Sequence, residues 1–69
     1  MCTLVSLVNR GAMSTSTARY LEREKITYAL LEDRCRHCGQ AAVVELLSGA
    51  FSDSAQLITA VTKIRDFFN

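Results

Sequence analysis

The sequence predicts an all-α protein: a small helical hairpin or bundle of two to three helices, completed by homodimerisation. Three observations carry this. The chain has no Pro and only three Gly, so the turn signals that a β fold needs are scarce. Apolar residues recur at three- and four-residue steps over most of the length, the repeat of helices with one buried face. The 69 residues make one domain near the size where a single core only just outweighs chain entropy. A second copy, a metal or a partner often supplies the remainder in such chains.

In chain order, residues 1–16 read as a flexible or packing N-terminal tail and residues 17–69 as a single helical domain. The apolar run from Leu4 to Val8 suits a short strand or a stretch laid onto the helices. A strand there would find its mate only in a second copy, because the sequence holds no other strand pattern. Asn9-Arg10-Gly11 ends the run, and Ser14-Thr15-Ser16-Thr17 is a hydroxyl-rich linker. Ser16 or Thr17 is placed to cap the helix that follows. From Ala18 onward, Leu21, Tyr28, Leu31, Cys35 and Cys38 form a heptad-like seam on one long helix. Glu24 stands where one apolar residue of that seam belongs, and Ile26 and Leu30 widen it. The seam stays in phase through Gly39, which favours a continuous or mildly kinked helix over a break.

Residues 40–68 carry two further apolar-faced segments, joined by a break at Ser48-Gly49. The first presents Ala41, Val44 and Leu47 on one side with Val43 and Leu46 beside them, and Gly49 is suited to close it in the left-handed conformation. Asp53 and Gln56 have the spacing of a capping box for the second, with Ser52 as the competing cap. Leu57, Ile58, Val61, Ile64 and Phe68 then make one stripe, with Gln56, Thr59, Thr62, Lys63 and Asp66 opposite. The Leu21–Cys38 seam and the Leu57–Phe68 stripe together exceed what one hairpin covers, which is the reason to expect a homodimer.

Composition narrows the class of function. Apolar content of 49% with 22% charged residues describes a globular chain, not a disordered one. A formal net charge of +1 argues against nucleic acid or an anionic membrane surface as partner. Three cysteines, an odd number, do not suit a secreted disulfide framework. The Leu4–Val8 run lacks a preceding basic residue and is too short for a signal core or a span. The expectation is a cytoplasmic protein with reduced thiols and no membrane role.

Chemistry-bearing residues are few. Cys35-Arg36-His37-Cys38-Gly39 has the spacing with which many zinc knuckles begin, but tetrahedral zinc needs four ligands. Only Cys2 and His37 remain as soft donors, so a metal site requires two chains to pool their Cys35/Cys38 pairs. That alternative would make the protein a zinc-dependent nucleic-acid binder. The simpler reading makes Cys35 and Cys38 small apolar residues of the seam. A redox role lacks the βαβ setting it would need. His37 has no nucleophile to serve, and no phosphate-binding loop exists. The chain is therefore read as non-enzymatic and without a cofactor.

Folding uses up the core stripes, so a partner must be met elsewhere: at Leu4–Val8, at the charged face Arg19–Lys25, or at Phe67. Arg19, Tyr20 and Arg23 group at one-turn spacing, and Tyr, Arg and Phe are favoured interface anchors. These residues with Phe67 form the candidate partner-binding set. A plain solvated helix face is the competing interpretation of the same charges.

The stretch Gly39-Gln40-Ala41-Ala42-Val43-Val44-Glu45-Leu46-Leu47-Ser48-Gly49, followed by the Leu57–Ile64 helix, resembles the small bacterial connector proteins of the AriR/YmgB type. Arg19-Tyr20-Leu21 is similar to the Tyr-containing pair upstream in that family. The spacing from that pair to Gly39 is longer here, and Cys35/Cys38 is not part of the family pattern. The resemblance covers roughly half of the chain. It implies a dimeric helical protein acting by protein–protein contact in signalling linked to biofilm or acid stress. The reading that results is a small regulatory adaptor or inhibitor, bacterial or phage-encoded, which binds another protein.

Overall fold

The N-terminal segment is where the fold first departs from expectation. In a computed structural model, which describes residues 3–69, helix α1 spans Leu4–Asn9. Leu4 and Leu7, one turn apart, are buried, while Val5 points outward. The strand alternative for this run is thus corrected to a helix, which satisfies its own backbone and needs no second strand. Gly11 closes α1 at φ +77°. Its N–H donates to the Val8 carbonyl at 3.0 Å, and the Ala12 N–H donates to that of Leu7 at 2.9 Å. This paired closure requires a left-handed residue, which glycine supplies without a Cβ clash.

Helix α2 spans Thr15–Arg23. Its cap is Ser14, whose Oγ accepts from the Thr17 N–H at 3.2 Å, in place of the expected Ser16 or Thr17. Thr17 is instead buried, its hydroxyl 2.9 Å from that of Ser14. The long seam helix is also corrected: the chain leaves α2 at Glu24 and enters α3, Tyr28–His37, only after Thr27. Continuing the helix would have turned the Glu24 carboxylate into the seam, where burial without a partner is costly. The same paired closure recurs here, with the Lys25 N–H on the Glu22 carbonyl at 3.0 Å and the Ile26 N–H on that of Leu21 at 2.9 Å. Lys25 takes the left-handed place at φ +62°. Thr27 Oγ1 caps α3 by accepting from the Leu30 N–H at 3.1 Å.

A second break replaces the expected continuity through Gly39. Cys38 is extended (φ −116°, ψ 166°), and Gly39 precedes helix α4, Gln40–Leu47. A 3-10 turn, Ser48–Ala50, follows α4 and leads to α5, Ser54–Phe68. Asp53 caps α5, its Oδ1 accepting from the Ala55 N–H at 2.8 Å. Gly49 does not use positive φ, as had been expected of it. Its role is close approach, described below.

The all-α class stands, with five helices in place of two or three and no strand among the described residues. Helix α5 packs on α3 and α4, α4 also meets α2 and α3, and α1 lies on α2. Leu21, Leu31, Val61 and Ile64 are fully buried and Phe68 nearly so, all within one chain. Tyr28 and Phe67 both meet Phe68 edge-on, at 5.3 and 5.2 Å between ring centres. Ile58, expected in the buried stripe, is 44% exposed. The half-buried Leu57 is the neighbour that packs against the core on that turn of α5. No described helix is long and apolar enough to cross a membrane.

Candidate functional site

Helix α2 buries Thr17, Ala18 and Leu21, which fixes the faces left for Arg19, Tyr20 and Arg23. Arg19 and Arg23 are exposed and make no ion pair among the described residues. The guanidinium of Arg23 lies over the Tyr20 ring, 6.0 Å from its centre. That geometry lets the ring face attract the cation while leaving the N–H groups open to a partner. Arg19 stands one turn before Arg23 on the same helix, exposed.

Tyr20 has a second task that sequence reading missed. Its ring is half-buried and rests on Gly49, where a Cβ would collide with the phenol oxygen and stand 2.9 Å from Cζ. The 3-10 turn after α4 therefore supports the Tyr20 ring, and through it the Arg23 head. The only signal in the sequence was a glycine at a helix end, which pointed equally well to a left-handed cap.

Phe67 belongs to a different cluster. It is half-buried against Phe68, and the Arg10 guanidinium lies 5.9 Å from its ring centre. Arg10, just past the end of α1, was not expected at any site. Its meeting with Phe67 depends on how α1 approaches α5, which no local pattern encodes.

The cysteines divide. Cys35 is buried in the core, as the simpler reading held. Cys38 is exposed, because the extended backbone that ends α3 carries it off the seam; its assignment as a core thiol is corrected. Burial pushes the Cys35 thiol above its ordinary range, with the Arg65 charge pulling the other way. No group of three His, Cys, Asp or Glu side chains among the described residues is arranged to hold a metal ion. Cys2, the remaining candidate donor, lies outside the described residues. Asp33 and Glu32 pair with Arg34 at 2.8 Å and Arg36 at 3.1 Å, and neither pair involves His37.

Comparison with protein-family models, curated proteins and solved structures found no match for the chain.

Proposed function

We propose that the protein is a small, non-enzymatic adaptor or inhibitor that binds another protein through Arg19, Tyr20 and Arg23, with Phe67 as a further anchor, and that it works as a homodimer. The observation carrying this is the pair of exposed arginines without ion-pair partners, one set over a tyrosine that the fold itself holds in place. On α3 the situation differs: Arg34 and Arg36 are neutralised by adjacent acids. Free guanidinium groups beside a fixed aromatic ring offer planar hydrogen bonding and contact area at little entropic cost. The resemblance to AriR/YmgB-type connectors points to the same class, and on that basis the setting is a cytoplasmic regulatory role in a bacterium or phage.

The test is affinity capture from lysate of the source cells with the wild-type chain and with Arg19→Ser/Arg23→Ser. Both residues are exposed, so the variant keeps its circular dichroism spectrum and melting temperature. Loss of a specific captured protein supports the patch. Equal capture by both chains makes the face a merely solvated one.

A further inference from the structure

A cleft of about 490 Å³ lies between the turn joining α1 to α2 and one side of α5. None of Arg19, Tyr20, Arg23 or Phe67 lines it, so it is separate from the patch above. Its volume falls in the range of small-molecule sites, about 300–1,000 Å³. Met13, Phe51 and Ala60 give it apolar walls. The α5 wall runs from Ala55 to Lys63, about 12 Å along the helix axis at 1.5 Å per residue.

The polar groups on the lining are not equivalent. The hydroxyls of Ser14 and Thr17 bond each other at 2.9 Å, and Thr59 donates its hydroxyl to the Ala55 carbonyl at 3.0 Å. Those groups are already satisfied by the fold. Lys63 makes no ion pair among the described residues and is the one charged residue on the lining, where Gln56 adds a neutral amide. An ammonium at one end of an elongated apolar cleft complements a single negative charge on an apolar body. A cationic ligand would meet a like charge there, and a neutral one would gain no charge-assisted contact.

We propose that this cleft binds a medium-chain monocarboxylate, its carboxylate on Lys63 and its chain over Met13 and Phe51. The site stands independently of the protein-binding patch, and either can fail without the other.

The test is an amide-resolved NMR titration of the ¹⁵N-labelled chain with octanoate, octanol and octyltrimethylammonium in parallel. Octanoate produces saturable shifts centred on Met13, Thr17, Thr59 and Lys63, and octanol binds about tenfold more weakly, the worth of one charge-assisted contact. Lys63→Gln brings octanoate down to the octanol level without altering the fold, since Lys63 is exposed. Thr59→Leu, at an exposed lining position, fills the cleft and weakens both ligands. Arg19→Ser/Arg23→Ser leaves octanoate binding unchanged. Equal affinity for octanoate and octanol in the wild type overturns the proposal. So do shifts that never saturate, and shifts that centre on Arg19–Arg23.

Discussion

Gly49→Ala tests the contact that links α2 to the turn after α4. A methyl group placed there collides with the Tyr20 hydroxyl and comes within 2.9 Å of Cζ and 3.3 Å of Cε2. The backbone at Gly49 is not left-handed, so alanine itself fits the local conformation and gains about 0.4–1 kcal/mol by stiffening the unfolded chain. Against this, forcing extra volume into a packed contact costs about 1–3 kcal/mol. The colliding oxygen is the outer end of the Tyr20 side chain, but Cζ of a ring packed against the core is also too close, so the cost prevails. The net expectation is a loss of about 1–2 kcal/mol. Urea denaturation followed by circular dichroism reads it directly. Tyr20→Phe removes the atom that collides first, so Gly49→Ala costs less in that background, although Cζ remains close. A coupling of at least about 0.5 kcal/mol in the double-mutant cycle is expected. Gly49→Ala proving stabilising in the wild type, or additive with Tyr20→Phe, refutes the contact.

Lys25→Gly relieves a left-handed residue at the α2 closure and raises stability by about 1 kcal/mol in the same assay, since that conformation costs L-residues roughly this much. Leu7→Ala empties a fully buried site on α1 and costs about 2–5 kcal/mol; a loss below about 0.5 kcal/mol returns the segment to a loose tail. Cys35→Ala weakens the fold modestly while the exposed Cys38→Ala leaves it unchanged, and neither responds to chelator; loss of structure on chelation promotes the shared-zinc alternative. The raised Cys35 pKa adds a pH signature. Below the ordinary value of 9.0 both folded and unfolded chains keep the thiol proton, and its contribution is flat. Above it the unfolded thiol ionises first, so stability falls as pH rises through the folded value. Comparing urea midpoints for wild type and Cys35→Ala at pH 8 and pH 10 isolates that slope, and parallel behaviour of the two chains contradicts it.

What was legible in the sequence follows from the range of each interaction. The helix period at Val61, Ile64 and Phe68 is local, and so is the Asp53 cap; both appear, the cap as a bond to the Ala55 N–H and not as the expected box with Gln56. The breaks were harder, because Cys38 and Ala42 remain in phase across Gly39 and Leu21 and Tyr28 across Lys25. Periodicity cannot distinguish one long helix from two that happen to share a phase. Glu24 in the seam was the available warning, and the Thr27 hydroxyl three residues before Leu30 was the matching start signal. At the candidate patch, the Arg23–Tyr20 contact follows from their three-residue spacing on α2. The Tyr20–Gly49 and Arg10–Phe67 contacts join residues far apart in sequence and left no local trace.

The reason for expecting a dimer changes with the fold. The seam at Leu21 and Leu31 and the stripe at Val61, Ile64 and Phe68 exceed what one hairpin covers, yet five helices cover them within one chain. The helix at Leu4–Asn9 supplies part of that cover, from a segment that had been set apart as a tail. Among the described residues, the large apolar side chains left exposed are Val5 and Ile58, at 53% and 44%. Scattered residues of this kind are ordinary on soluble proteins and do not by themselves demand burial. If the chain self-associates as proposed, the contact is therefore a surface event, not the completion of a core. Folding and dimerisation then separate: sedimentation depends on concentration in the micromolar range, while the urea midpoint for loss of helix hardly moves over the same range. An obligate dimer behaves otherwise, its midpoint climbing with concentration because no folded monomer exists to fall back on. A climbing midpoint would place the missing stabilisation between chains and show that the intramolecular core is insufficient alone.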